Sequence, residues 1–172
     1  MNPLSDASRI QLLCLDVDGV LTDGGLLIDD HGVETKRFHV RDGAGLRMWM
    51  HSGGHVALIT GRRGMAVRHR ADELGIRHVL QGSSDKLADF RNLLEQLEVS
   101  ASQAAMLGDD LPDLPIMRLC GYPMAVADAV PEVRAVARFV TVRPGGHGAV
   151  REAIEHLLEA RQALDEARKM FG

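Results

Sequence analysis

Carboxylate side chains occur in two tight groups along the chain. Residues 16–24 (DVDGVLTDG) form the first group and residues 108–113 (GDDLPD) form the second. Carboxylates that crowd together repel one another unless a cation or shared protons intervene. An all-oxygen ligand set favours Mg²⁺ over zinc or copper, and Mg²⁺ commonly binds a few carboxylates together with a substrate phosphate. The two groups therefore predict a magnesium site.

Two further side chains fit the same chemistry. Thr60 opens a Thr-Gly-Arg segment, and Lys86 lies between that segment and the second acidic group. A single Asp-x-Asp-Gly segment is usually a turn, because both residue types favour turn geometry. Here the acidic groups, the hydroxyl and the lysine follow one another in the order expected of one site. We therefore interpret them together as functional.

Short apolar runs alternate with helical patterns along the chain. Five runs predict strands, at residues 10–15, 55–60, 77–81, 104–108 and 124–126. Apolar spacings of three or four predict helices at residues 44–50, 65–74, 86–97, 112–119 and 131–137. This alternation predicts an α/β fold, a Rossmann-like parallel sheet with helices on both faces. Ligands bind beyond the carboxyl ends of such strands, where the acidic groups and Thr60 are expected to meet.

Two segments depart from the alternation. Residues 26–39 (LLIDDHGVETKRFH) are expected to form a β-hairpin flap around a turn at residues 29–32. The C-terminal tail, residues 143–172, begins with RPGGHG and is expected to continue as an amphipathic helix over residues 150–169, with an Asp165–Lys169 pair. Because no repeat and no dividing linker occurs, residues 1–172 are expected to form a single domain.

Composition excludes several classes of function. A formal net charge of −4 and only 3% aromatic residues disfavour a nucleic-acid partner. No apolar run reaches the roughly 18 residues that a membrane span requires, and the N-terminus does not resemble a signal peptide, so we expect no membrane partner and a cytoplasmic location. Cys14 and Cys120 form no CxxC pair, so neither a disulfide nor a zinc site is expected.

The chemistry-bearing residues resemble the four motifs of the haloacid dehalogenase superfamily of phosphohydrolases. The matching positions are residues 16–23, Thr60, Lys86 and residues 109–113. The resemblance implies that Asp16 attacks phosphorus to form an aspartyl phosphate, while Asp18 acts as general acid and then as general base. Thr60 and Lys86 are expected to hold phosphoryl oxygens.

The same resemblance implies a ligand set for Mg²⁺. Its members are the carboxylates of Asp16 and Asp109 and the backbone carbonyl of Asp18. Asp110 and Asp113 are expected to support the site by orienting a metal ligand or Lys86, and water-mediated coordination by one of them is left open.

Two other phosphate-related folds fit less well. The receiver domain of two-component signalling also combines acidic residues, a hydroxyl and a lysine, but its acidic pair precedes a phosphorylated Asp on a central strand. In this chain the nucleophile motif comes first and the second acidic group comes last. A nucleotide-binding loop is disfavoured because no GxxxxGK occurs, and the glycines of residues 145–148 do not follow a predicted strand as GxGxxG.

The motif spacing leaves no room for an inserted cap domain. Only the hairpin, one helix and one strand separate the first motif from Thr60, and one helix and one strand separate Thr60 from Lys86. The chain therefore resembles the small capless sugar-acid phosphatases of the superfamily. The segments that carry this resemblance are residues 38–43 (FHVRDG), 60–62 with Arg70, 81–86 and 145–152 (GGHGAVRE).

The capless branch implies a homotetramer in which hairpins from four subunits associate and a neighbour completes each active site. It implies a sugar-acid phosphate as substrate, contacted by Asp18, His39, Val40, Arg41, Asp42, Gly43, Gly61, Arg62, Arg70, Lys86 and Pro112. Two arginines suit a substrate with both carboxylate and phosphate. Surface-charge roles for Arg62 and Arg70 stay open, as does a purely structural role for His39.

The implied substrate is a phosphorylated 3-deoxy keto acid, with eight carbons and a role in lipopolysaccharide synthesis preferred. A related nine-carbon acid is the closest alternative, and a non-catalytic assembly scaffold is the alternative from another class. His51 and His55 are interpreted as turn residues, because the intervening Ser-Gly-Gly breaks a helix. His147 departs from the basic residue expected in the tail, so a pH-dependent contribution there stays open.

Overall fold

A computed structural model describes residues 6–172 and contains a six-stranded parallel sheet. The strand order is β5-β4-β1-β6-β7-β8. The strands are β1 (Leu12–Leu15), β4 (His55–Thr60), β5 (His78–Gln81), β6 (Ala104–Gly108), β7 (Tyr122–Ala125) and β8 (Phe139–Val140). Because β1, β6 and β7 are buried throughout, both faces of the central sheet are covered. The predicted α/β fold with a Rossmann-like parallel sheet is confirmed.

Between residues 40 and 168, seven α-helices connect and cover the strands. They are α1 (Val40–His51), α2 (Met65–Leu74), α3 (Lys86–Leu97), α4 (Leu114–Leu119), α5 (Pro131–Val136), α6 (Ala149–Ala160) and α7 (Leu164–Arg168). Helices α1, α2, α6 and α7 pack together, and α3, α4 and α5 form a second packed group. In the part of the chain that the structure describes, no helix is both long and apolar enough to cross a membrane.

The C-terminal helix differs from its prediction. The expected single helix over residues 150–169 is divided into α6 and α7, with Gln162 in the left-handed region at φ 56° between them. The predicted Asp165–Lys169 pair is also wrong: Lys169 lies 2.6 Å from Glu166, and Asp165 lies 3.7 Å from Arg168. The reason is that the α-helix ends at Arg168 and a 3₁₀ turn (Lys169–Phe171) follows, in which residues three apart lie on the same side.

Several other element boundaries differ from the sequence pattern. Helix α1 begins four residues earlier than predicted, because the His39 side chain accepts a hydrogen bond from the Arg41 backbone N–H and caps it. The predicted helix at 112–119 splits into a 3₁₀ turn (Leu111–Asp113) and α4. Strand β7 begins two residues earlier than predicted, and the edge strand β8 was missed because two residues carry no periodic signal.

The predicted hairpin is present beside the main sheet. Strands β2 (Leu27–Ile28) and β3 (Glu34–Thr35) pair antiparallel, with Ile28 opposite Glu34. Asp29 Oδ1 accepts hydrogen bonds from two backbone N–H groups in the turn. Four apolar side chains of this hairpin are half or more exposed: Leu26, Leu27, Ile28 and Val33. This apolar surface distinguishes the hairpin from the buried main sheet.

Candidate active site

The carboxyl ends of three central strands converge on one cavity. Asp16 follows β1, Thr60 ends β4 and Asp109 follows β6; β1 pairs with both neighbours. The cavity has a volume of about 580 Å³. Lys86 reaches it from the first residue of α3. Strand order therefore brings together side chains that are far apart in sequence.

Lys86 connects the two acidic groups. Its Nζ donates hydrogen bonds to Asp16 Oδ1 at 2.6 Å and to Asp113 Oδ1 at 2.8 Å. Asp113 is almost fully buried, and its second oxygen accepts the Asp109 backbone N–H at 3.1 Å. Asp113 thus holds both the lysine and the loop that carries Asp109, a geometry suited to the supporting role predicted for it.

Three carboxylates are arranged as a cation site would require. Asp16, Asp109 and Asp113 each offer an oxygen, and these oxygens lie within 4.8 Å of one another. Asp109 Oδ1 is buried with no hydrogen-bond partner among the described residues. An orphaned carboxylate oxygen facing other carboxylates fits a divalent cation, and the hard oxygen donors fit Mg²⁺.

The electrostatics of the site agree with that fit. Burial, with Asp16 and Asp113 close by, raises the pKa of Asp109 to about 8. Burial and the nearby Asp113 raise the pKa of Asp16 to about 6, although Lys86 opposes the rise. The repulsion that raises these pKa values is what a bound cation would relieve.

The loop after β1 approaches the second acidic group closely. Gly19 has φ 102°, and a Cβ there would lie 2.1 Å from Asp109 Oδ2. Only glycine permits this conformation and this distance together. The glycine of the Asp-x-Asp-Gly segment therefore lets both acidic groups share one site.

Asp18 has different partners from Asp16. Its Oδ2 accepts a hydrogen bond from Thr60 Oγ1 at 3.4 Å, and its Oδ1 pairs with Lys36 from the hairpin. Sequence reasoning missed Lys36, because no sequence pattern indicates that this side chain turns towards Asp18. The hairpin thus contributes a side chain directly to the site.

The residues predicted to contact substrate fall into two groups. Gly61, Arg62 and Pro112 line the cavity together with Asp18 and Lys86. Arg62 also pairs with Glu34 of the hairpin at 2.5 Å. Asp110 lines the same cavity, but its carboxylate accepts the Leu111 backbone N–H at 2.8 Å and caps the 3₁₀ turn.

The second group lies outside this cavity, at the start of α1 and on α2. Asp42 is almost fully buried and accepts hydrogen bonds from the backbone N–H groups of Gly148 and Arg151 at the start of α6. Arg70 packs over Gly43 and binds Glu73 at 2.8 Å. His39, Val40 and Arg41 complete this group, and Val40 is 81% exposed. Within one chain, these six predicted contact residues therefore do not line the cavity that contains Asp16.

The glycine-rich start of the tail packs against the loop that follows β1 in its own chain. A Cβ on Gly145 would lie 1.7 Å from the Gly19 carbonyl oxygen, and the Gly146 N–H donates to the Val20 carbonyl at 2.9 Å. His147 Nδ1 lies 2.7 Å from the Gly145 carbonyl oxygen. Residues 143–148 therefore support the active-site loop from within the chain.

Comparisons with known proteins agree on one family. Residues 76–154 match the haloacid dehalogenase-like hydrolases. The chain is 47% identical over 165 residues to the 3-deoxy-D-manno-octulosonate 8-phosphate phosphatase of Escherichia coli K12, a match that covers 96% of this chain and 88% of that protein. The corresponding phosphatase of Yersinia pestis is 46% identical over 161 residues, covering 94% of this chain and 86% of that protein.

Solved structures give the same result. The phosphatase of this name from Moraxella catarrhalis, crystallised with a magnesium ion, a phosphate ion and its sugar acid, superposes with a TM-score of 0.96 at 42% identity, covering 100% of this chain and 99% of that one. The Yersinia pestis enzyme superposes with a TM-score of 0.93 at 45% identity, covering 94% and 88%. The chain therefore belongs to the haloacid dehalogenase-like hydrolases, within the family of 3-deoxy-D-manno-octulosonate 8-phosphate phosphatases.

Proposed function

We propose that the protein is a Mg²⁺-dependent phosphomonoesterase that hydrolyses 3-deoxy-D-manno-octulosonate 8-phosphate to the free sugar acid and phosphate. The observation that carries the proposal is the convergence of Asp16, Lys86 and Asp109 on one cavity, in a chain 47% identical to such phosphatases. The Moraxella relative holds magnesium, phosphate and the sugar acid. The reaction belongs to lipopolysaccharide biosynthesis.

The chemistry proceeds in two displacements at phosphorus. An Asp16 carboxylate oxygen attacks, the bond from phosphorus to the sugar oxygen breaks, and Asp18 gives that oxygen a proton. Water then attacks the aspartyl phosphate, Asp18 takes the proton from the water, and the bond between Asp16 and phosphorus breaks. Inorganic phosphate leaves, and both aspartates return to their starting states.

Fixed charges stabilise the phosphoryl group during both steps. Lys86 holds its ammonium 2.6 Å from Asp16 Oδ1, so it reaches oxygens on a phosphorus beside that carboxylate. The Thr60 hydroxyl provides a second donor on the same rim. Mg²⁺, held by the Asp16 and Asp109 carboxylates and the Asp18 carbonyl, supplies positive charge that offsets the carboxylates and the phosphate.

Substrate recognition involves the predicted contact residues. Gly61, Arg62 and Pro112 border the phosphoryl site, and the Arg62 guanidinium can pair with a substrate carboxylate. His39, Val40, Arg41, Asp42, Gly43 and Arg70 are assigned to the sugar acid bound by a neighbouring subunit, because they lie outside their own chain's cavity.

The assembly proposed is a homotetramer with shared active sites. The exposed apolar side chains of the hairpin, 59% for Ile28 and 61% for Leu27, support burial of this segment against other copies. Each chain acts as one domain, residues 1–172, with the hairpin at residues 26–39 and the tail at residues 143–172. We place the enzyme in the cytoplasm, where Cys14 and Cys120, both buried free thiols, remain reduced.

Phosphate release on a panel of sugar phosphates tests the proposal. We expect the highest kcat/KM with the eight-carbon keto-acid phosphate, loss of activity in EDTA and recovery with Mg²⁺. Asp16→Asn should abolish turnover, whereas Asp165→Asn, on an almost fully exposed side chain, should leave it unchanged. Preference for the nine-carbon acid would correct the substrate, and full activity of Asp16→Asn would refute the nucleophile.

A further inference from the structure

The hairpin carries a buried lysine that contacts Asp18, one of the residues lining the cavity. Lys36 follows β3, and only 2% of its side chain is exposed. Its ammonium pairs with the Asp18 carboxylate and lies 2.5 Å from Glu34. The adjacent Arg37 instead points outward, is 67% exposed and pairs with Asp23. One cation of this segment is therefore directed into the site and the next is not.

A chain of ion pairs fixes the position of this lysine. Glu34 joins Lys36 on one side and Arg62 on the other, and Arg62 follows the Thr60-Gly61 loop. The carboxylates of Asp18 and Glu34 together hold the buried Lys36 ammonium between the hairpin and the site.

The two oxygens of Asp18 have different environments. Oδ1 pairs with Lys36, whereas the partner of Oδ2 is the Thr60 hydroxyl, at 3.4 Å. Because the Lys36 ammonium occupies Oδ1, Oδ2 is the oxygen left to exchange a proton with the substrate or with water. Lys36 therefore decides which oxygen transfers the proton and in which direction it points.

We infer that Lys36 is a positioning residue for proton transfer by Asp18. The inference rests on the proposed phosphatase function. In the first displacement, the proton on Asp18 Oδ2 passes to the departing sugar oxygen as its bond to phosphorus breaks. In the second, Oδ2 accepts a proton from the attacking water. Lys36 keeps its own protons throughout and acts by holding Oδ1.

A substrate series separates this role from phosphate or carboxylate binding. An alkyl leaving group needs a proton as it departs, whereas p-nitrophenolate is stable without one. The ratio kcat/KM reports steps up to departure of the leaving group, so the later hydrolysis does not obscure it. Three substrates suffice: the keto-acid phosphate, an alkyl phosphate without a carboxylate such as ribose 5-phosphate, and p-nitrophenyl phosphate.

The test compares Lys36→Met with wild type and with Arg37→Met, the matched loss of a neighbouring hairpin cation. For Lys36→Met we expect kcat/KM to fall about 10- to 100-fold with both alkyl phosphates, because misplaced general acids lose rates of this order. With p-nitrophenyl phosphate the fall should stay within about threefold, as it should for Arg37→Met with all three substrates. If Lys36→Met does not fold by circular dichroism, the same ratios are measured on Lys36→Gln.

Other outcomes overturn the inference. An equal fall with all three substrates would make Lys36 a phosphoryl-binding or purely structural group, and a fall with the keto acid alone would make it a carboxylate contact. No fall with any substrate would remove its role altogether. Failure of the proposed function has a different result: the wild-type enzyme would be inactive on the keto-acid phosphate. The comparison of ribose 5-phosphate with p-nitrophenyl phosphate would still report on Lys36.

Discussion

Replacing Asp109 by asparagine should stabilise the metal-free protein. Asp109 Oδ1 is buried and has no hydrogen-bond partner within residues 6–172, and the Asp109 carboxyl faces Asp16 and Asp113. Folding therefore raises the pKa of Asp109 from its usual 3.8 to about 8. A group whose pKa is higher in the folded chain loses stability as pH rises through this interval, because ionisation favours the unfolded chain. The penalty is therefore small near pH 4 and largest near pH 8.

The size of the effect follows from the interval between the two pKa values of Asp109, 3.8 and about 8. At about 1.4 kcal/mol for each pH unit, the full interval corresponds to about 6 kcal/mol. Because Asp109 is only partly buried, solvent screening reduces this to about 2–3 kcal/mol. Asparagine keeps the shape and removes the charge, so Asp109→Asn should raise the Tm in EDTA at pH 8 by about 4–12 °C. At pH 5 the gain should shrink to about a third of that, since most of the interval lies above pH 5.

Thermal unfolding in EDTA and in saturating Mg²⁺, at pH 5 and pH 8, measures the effect. Wild type at 100 times the Kd should gain about 2.7 kcal/mol from Mg²⁺, and Asp109→Asn should gain far less. Asp110→Asn is the matched control, because Asp110 is exposed and asparagine caps the following turn equally well. A variant no more stable than wild type in EDTA at pH 8, or equal gains from Mg²⁺ in both proteins, would refute the electrostatic account of this site.

Two further substitutions test how the site is supported. Asp42→Ala should lower the free energy of unfolding by about 2–3 kcal/mol, because two backbone N–H groups at the start of α6 lose their buried acceptor. Urea titration measures this change, and a loss below about 0.5 kcal/mol would contradict the expectation. Gly145→Ala should lower kcat and destabilise the fold by about 1–3 kcal/mol, because its Cβ would collide with the Gly19 carbonyl. Gly64→Ala, with no atom within 4 Å of its Cβ, should do neither.

The catalytic cluster could be predicted because it depends on strand order alone. Asp16, Thr60 and Asp109 each mark the end of a buried apolar run, and parallel strands place such ends on one edge. The supporting role of Asp113 was also accessible, since it lies one turn beyond Asp109. Each of these inferences needs only local periodicity and one rule of topology.

Contacts that depend on how irregular segments dock could not be predicted. Lys36 reaches Asp18 only because the hairpin docks against the loop that follows β1, and no periodic pattern specifies that orientation. Asp42 carries the same sequence signature whether it contacts a substrate or caps a neighbouring helix, and the structure shows the cap. The division of the C-terminal helix could not be predicted from periodicity either, because the seven-residue spacing from Leu157 to Leu164 fits one face of a continuous helix.

The hairpin connects assembly to chemistry. One side of it carries Glu34 and Lys36, whose ion pairs reach Arg62 and Asp18. The other side presents exposed apolar residues that a single chain leaves in water. A two-stranded ribbon outside a larger sheet is marginally stable alone, so whatever buries its apolar side also fixes Lys36. In a phosphatase without a cap domain, contact between hairpins would then replace a cap in one respect, because it would hold Asp18, the proposed proton donor, in place.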